Sequence, residues 1–174
     1  MFMERTAPEK YNRATSTVRN PVEAERSIID ALDARILRHM LVDGRISFRR
    51  LARELHVSTN TVASRVSRLE KSGAIRGFCA SVDFEKVGYA LTAVTEIIVS
   101  KGKLLEMEGQ IAKLPGVCAV YDVTGEIDGV VIAKFKGREE LSHFTKGLLA
   151  LPFIERANTH VVLTTVCEDF RLAV

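Results

Sequence analysis

The sequence predicts an α+β fold in two parts: a three-helix bundle ending in a helix-turn-helix, then a sheet-and-helix sandwich. Three observations carry this. Residues 44–77, GRISFRRLARELHVSTNTVASRVSRLEKSGAIRG, hold two short helical stripes, each preceded by a serine and separated by a tight turn. The C-terminal half alternates β-rich runs with amphipathic helical segments. Charge is also partitioned. Residues 30–77 hold ten Arg or Lys against five Asp or Glu, a balance of +5, whereas residues 89–174 hold nine against eleven, or −2. A basic module joined to one that avoids phosphate is the footprint of a nucleic-acid binder.

The first helix starts at Asp30, a capping residue with Asp33 three positions on, and carries the stripe Leu32, Ile36, Leu37, Met40 and Leu41 before stopping at Asp43-Gly44. Ser47 caps the second, whose apolar positions Phe48, Leu51, Ala52 and Leu55 recur at helical spacing. Ser58 caps the third, with Val62, Val66 and Leu69 inward. Gly73 ends it as a glycine in the left-handed conformation. Only His56 and Val57 separate the last two helices, so they must cross steeply.

The outer face of the third helix carries Thr59, Asn60, Thr61, Ser64, Arg65, Arg68 and Lys71. Arg and Asn read base edges through paired hydrogen bonds, and Ser, Thr and Lys hold phosphates. The N-terminal part of such a helix enters the major groove. Thr59, Asn60, Thr61, Ser64 and Arg65 are therefore expected at bases. Arg45, Arg49, Arg68 and Lys71 are expected nearer the phosphate backbone, and Ser58, at the cap, joins the same DNA-facing set. The competing explanation is a solvated helix face.

The N-terminal part is expected as a winged helix-turn-helix, and beyond it Phe78, Ala80 and Val82 predict a short linker strand. A link follows to Gly88. Arg76 is placed beside the groove or on plain surface. Residues 90–100 read as a strand, and Lys103–Leu114 as a helix with Leu104, Met107, Ile111 and Leu114 inward, broken at Pro115-Gly116. Val117–Thr124 and Val130–Lys136 are strands joined by Gly125-Glu126-Ile127-Asp128-Gly129. Arg138–Leu151 is a helix with Leu141, Phe144, Leu148 and Leu151 on one face, and Ala157–Val166 is the last strand. The order βαββαβ is that of a ferredoxin-like sandwich and forms an internal pseudo-repeat. Helices on one side leave the other sheet face open. The first strand has Leu91, Ala93, Ile97 and Val99 on one side and Val94 and Ile98 on the other, and the last has Val161 and Leu163 against Val162 and Val166; both faces are apolar, so a second subunit is expected on the open one. A two-fold dimer also suits palindromic half-sites.

The residues from Ile29 to Gly88 resemble the DNA-binding half of the Lrp/AsnC (feast/famine) transcription regulators. The matching pieces are Asp30 and Asp33 before Ile36-Leu37, the Asp43-Gly44-Arg45 turn, Leu51-Ala52, Ser58 with Val62, then Arg65, Leu69-Glu70, Gly73, Ile75 and Gly77. The resemblance runs on to about residue 169. It implies dimers that assemble into tetramers, octamers or larger rings, and an amino-acid effector pocket. The turn Thr124-Gly125-Glu126-Ile127-Asp128 is similar to the family's Gly-x-x-Asp effector loop, with Asp128 accepting an α-ammonium group; Thr159 matches a pocket-lining position. Gly129, where an aromatic residue is common, and His160 depart from the pattern. Read from the residues alone, the loop is equally a hairpin that needs Gly at positive φ and an Asp closing a turn.

The domains expected are a partly flexible N-terminal extension over 1–28, with a helix from Val22 to Ile29; a DNA-binding domain over 29–77; a linker strand and loop over 78–89; and an oligomerisation and effector domain over 90–174. Cys79, Cys118 and Cys167 have no metal spacing and read as reduced and mostly buried. The four histidines form no ligand pair, so neither metal nor cofactor is expected. No apolar run is long enough to span a bilayer and the start lacks the apolar core of a secretion signal, which points to the cytoplasm. Two alternatives stand beside a sequence-specific, non-enzymatic regulator: a sirohaem-decarboxylase-like enzyme using His143, Arg156 and His160, and a DNA-organising protein of low specificity.

Overall fold

The computed structural model describes residues 29–100 and 109–172. The expected extension over 1–28, the helix from Val22, and the helix positions Leu104 and Met107 lie outside them. The chain divides into two compact units. One ends at Ser81 and includes the described residues from Asp169; the other is Val82–Glu168. The C-terminal unit is thus shorter than the expected 90–174 at its end and begins within the expected linker.

In the first unit, α1 (Ala31–Val42), α2 (Phe48–Leu55) and α3 (Thr59–Lys71) form where the caps demand. The Asp30 carboxylate accepts from the backbone N–H of Leu32 and Asp33, and Asp33 returns a bond from the Asp30 N–H at 3.1 Å, a reciprocal capping box. Ser47 Oγ accepts from Arg50 N at 3.2 Å and Ser58 Oγ from Thr61 N at 3.0 Å. Ile36, Met40, Ile46, Leu51, Ala52, Leu55, Val62 and Val66 pack as one core. Glu54 ties α2 to α1, meeting Arg50 Nε at 2.8 Å and His39 Nδ1 at 3.1 Å. Gly73 has φ +77° and closes α3, as its spacing predicts.

The turn between α2 and α3 is made by His56 in the left-handed conformation (φ 57°, ψ 43°), with Val57 N donating to Ala52 O at 3.0 Å. A side chain there crowds its own backbone by about 1–2 kcal/mol. His56→Gly should therefore raise the unfolding free energy by about 1 kcal/mol, read as a higher urea midpoint at constant slope. A lower midpoint would show that the imidazole contributes more than its backbone conformation costs.

The linker strand expected at Phe78, Ala80 and Val82 does not form. Residues 76–83 carry no regular secondary structure, and Phe78 and Val82 are 50% and 43% exposed. A strand needs a ladder partner for its backbone groups, and the described residues of this unit contain no strand.

The second unit holds β1 (Leu91–Val99), β2 (Val117–Asp122), β3 (Gly129–Phe135), α4 (Arg138–Leu149) and β4 (Ile154–Val161), with residues 109–111 helical ahead of β2. The antiparallel sheet has the order β2-β3-β1-β4, the ferredoxin-like arrangement. Ala93, Ile97, Val99, Ile111, Val117, Val131, Ala133, Phe135, Phe144 and Leu148 form its core. The last strand starts three residues earlier than expected and stops at Val161. Leu163 and Val166, expected within it, are almost fully exposed. On the face away from this core, β1 carries Thr92, Val94, Glu96 and Ile98, paired with Lys134, Ile132 and Val130 of β3 and with His160, Asn158 and Arg156 of β4. The cysteines differ from expectation as well: Cys79, Cys118 and Cys167 are all exposed.

Candidate nucleic-acid interface and effector loop

The third helix presents a short free edge. Thr59, Asn60, Ser64 and Lys71 are exposed, as are Arg45 and Arg49 on and before α2. Three hydroxyls of this set are engaged locally: Ser58 Oγ lies 2.8 Å from Thr61 Oγ1, and Ser64 Oγ donates to Thr61 O at 3.0 Å. Among the described residues, the Thr59 and Asn60 side chains have no such partner. They are the polar groups available at the N-terminal end of α3.

Arg65 and Arg68 depart from the sequence expectation. Instead of projecting outward, both guanidinium groups turn to the start of α1. Arg65 pairs with Asp30 and, at 3.2 Å, with Asp33; Arg68 pairs with Asp33 and lies 3.8 Å from Asp30. Asp33 has no solvent exposure, and the Arg65 side chain keeps only 28% of its own. The Arg65 hydrogen bond, aided by the backbone N–H groups of the cap, holds the Asp30 carboxyl down at about 2; the same contact raises Arg65. The two guanidinium groups expected at a base and at a phosphate are thus engaged within the unit in this structure. They fasten α3 to α1. The sequence sets Asp30 and Asp33 three apart and Arg65 and Arg68 three apart, but nothing local says that the two pairs meet.

The Thr124–Asp128 turn is held by its aspartate. Asp128 Oδ2 accepts from Val99 N at 2.7 Å, Asp128 N donates to Ile97 O at 2.9 Å, and Val123 N donates to Asp128 O at 3.2 Å. The carboxylate thus continues the ladder past the end of β3. Thr124 and Gly125 are exposed, with Gly125 at φ +130°. Gly129 is packed so closely that a Cβ would lie 3.0 Å from the Ile97 side chain, which accounts for its departure from the aromatic pattern. The Thr159 hydroxyl lies 3.0 Å from that of buried Thr95, on the core side of the sheet.

The three residues weighed for tetrapyrrole chemistry are not brought together. His143 is on α4, which packs on the core face, whereas Arg156 and His160 lie on the opposite face by their register with Ile98 and Val94. His160 Nε2 lies 3.0 Å from Asn158 Nδ2 and 3.7 Å from Glu96. Among the described residues no group of three His, Cys, Asp or Glu could hold a metal, and no helix is long and apolar enough to cross a membrane.

A capped helix-turn-helix followed by a ferredoxin-like unit defines a class of protein: a DNA-binding regulator carrying a separate α+β domain. The comparisons give the family. Residues 29–70 match the AsnC-type helix-turn-helix domain and residues 92–172 the Lrp/AsnC ligand binding domain. A helix-turn-helix-type transcriptional regulator of Pyrococcus abyssi is 48% identical over 145 residues, covering 83% of this chain and 99% of the relative. The regulator FL11 of Pyrococcus horikoshii is 32% identical, covering 84% and 97%. Among solved structures, a Neisseria meningitidis transcriptional regulator in complex with L-methionine aligns with a TM-score of 0.74 at 26% identity, covering 83% of this chain and 96% of that one. AsnC of E. coli shares the fold with the same TM-score at 24% identity, covering 82% and 97%. The chain belongs to the Lrp/AsnC family of transcriptional regulators. Neither the decarboxylase nor the DNA-organising alternative gains support.

Proposed function

We propose that this regulator reads operator DNA in the cytoplasm as a two-fold dimer, without enzymatic activity, and that a small effector, an amino acid being the first class to test, alters that binding through the second unit. The observation that carries the DNA contact is the free edge of α3: Thr59 and Asn60 are exposed at its N-terminal end and have no side-chain partner among the described residues. Thr61 and Ser64 stand beside them, while Arg45, Arg49 and Lys71 supply phosphate contacts. Ser58 holds the helix end. The half-buried Val94, Ile98, Val130 and Ile132 on the open sheet face support self-association. Thr124 and Gly125 are the exposed groups of the effector loop, and Asp128 sets its shape; Thr159 supports the strand behind it. The L-methionine bound to the Neisseria regulator supports the effector class.

The test is a salt-controlled DNA titration. Asn60→Ala should lower affinity for the preferred duplex by about 1–3 kcal/mol and relax discrimination at one base position. Lys71→Ala should weaken binding to every sequence alike and flatten the salt slope. Unchanged discrimination in Asn60→Ala would move the reading edge elsewhere on the unit.

A further inference from the structure

Among the described residues, the second unit buries one charged side chain, and neither DNA reading nor the effector loop uses it. Lys134 of β3 points to the open face of the sheet, where a lysine should be solvated, yet it is only 8% exposed. An ammonium group withdrawn from water needs partners. Its Nζ lies 2.9 Å from Glu168 Oε2, 3.3 Å from Thr92 Oγ1 and 5.6 Å from the centre of the Phe84 ring.

The origin of these partners is informative. Thr92 is the cross-strand neighbour of Lys134. Phe84 and Glu168 come from the two flanks. The unit begins at Val82 and ends at Glu168, so the chain passes between the units beside Phe84 and again directly after Glu168. Neither flank has strand pairing to fix it: residues 84–88 form a turn, and residues 163–168 have no regular structure. Each is tied down by a few contacts. Phe84 meets Tyr89 edge-on at 5.9 Å, Lys136 lies 5.8 Å from the Tyr89 ring, and Val162 N donates to Thr92 O at 2.9 Å. Lys134 is the side chain that touches both flanks.

We infer that Lys134 is a positioning residue that gathers the entering and leaving segments of the second unit onto its sheet, so that operator affinity depends on the Lys134–Glu168 pair although neither residue touches DNA. The dependence on DNA rests on the function proposed above; the gathering of the flanks does not. Lys134→Met keeps the length of the buried stem, and the Glu168 carboxylate it leaves is 36% exposed and can be solvated, so the variant separates positioning from folding. Glu168→Gln, at a partly exposed site, supplies a second variant that leaves the core untouched.

Amide exchange on the full-length protein is the first arm. Both variants should exchange faster across 82–89 and 163–168 while β1 and β3 peptides hold their protection. The second arm is titration of a duplex selected by the wild-type protein from a random-sequence pool. Each variant should bind about five- to tenfold more weakly, and Lys134→Met/Glu168→Gln no more weakly than either alone. Unchanged exchange in the flanks would overturn the clamp. Faster exchange with unchanged affinity, or additive losses in the double variant, would overturn the coupling. Failure of the wild-type protein to select any duplex would instead count against the DNA reading, with the exchange arm still deciding the clamp.

Discussion

Arg65→Ala/Arg68→Ala is expected to destabilise the DNA-binding unit by about 3 kcal/mol, and adding Asp33→Ala is expected to recover much of that loss. The asymmetry follows from burial. Asp33 has no solvent exposure, whereas Arg65 and Arg68 keep 28% and 48% of theirs. Removing both cations leaves a buried carboxylate with the Asp30 N–H as its remaining hydrogen bond among those described. An uncompensated buried charge costs about 3–5 kcal/mol, and the lower end applies because water already reaches the arginine side of the pair. Removing Asp33 alone leaves cations that can turn to solvent, so Asp33→Ala should cost less than the double variant. Chemical denaturation of the four proteins, wild type included, completes the comparison. A triple variant no more stable than the double would show that the arginines act by packing alone. The affinity consequence also differs from that of Asn60. Loss of the Arg65 contact should weaken binding to all sequences together, because it loosens α3 rather than removing a base contact.

Acid should act through the same network. The Asp30 carboxyl is lowered from 3.8 to about 2, first by the Arg65 hydrogen bond and then by the cap. A depressed carboxylate adds stability that is fully present above its unfolded value and is lost as pH falls through the folded one. The contribution of Asp30 is therefore constant from neutral pH down to about 4 and disappears between there and about 2.

What the sequence made legible was local. Ser47, Ser58, Asp30 and Gly73 act within one helical turn of themselves, and each cap forms as its spacing predicts. The strands of the second unit announce themselves by alternation over a few residues, although β4 is displaced because Val162, Leu163 and Val166 are as β-prone as the residues that do pair. The candidate site was legible where exposure alone decided it, as at Thr59 and Asn60. It was not legible where a partner lay far along the chain. Arg65 and Asp30 are 35 residues apart, and nothing local distinguishes an arginine aimed at a base from one aimed at another helix. Asp128 shows the same limit: the backbone N–H that its carboxylate holds, Val99 N at 2.7 Å, lies 29 residues away in the chain.

Gly116→Ala is expected to cost about 3 kcal/mol or more and to unfasten the edge strand that leads into the Thr124–Asp128 turn. In the sequence, Pro115-Gly116 is only a helix breaker. In the fold, Gly116 has φ +83°, and a Cβ built on it would lie 2.6 Å from the Lys134 carbonyl oxygen and 3.0 Å from the Phe135 ring. Left-handed backbone costs a non-glycine residue about 1–2 kcal/mol, and overpacking adds about 1–3 kcal/mol. Relief by a small shift is blocked, because Lys134 N donates to Gly116 O at 2.9 Å and Phe135 is itself buried against Phe144 at 5.1 Å. The strand that follows, β2, pairs in the sheet with β3 alone, so displacement at its first residue, Val117, carries along the whole run to Thr124. Gly125→Ala is the matched control. Its φ of +130° is also unfavourable for alanine, but its Cβ would meet nothing within 4 Å. Thermal unfolding should rank Gly116→Ala well below Gly125→Ala, and amide protection at Val130 and Ile132, whose N–H groups face β2, should fall in the first and persist in the second. Equal losses would mean that backbone conformation accounts for both and that the contact with Lys134 relaxes without cost.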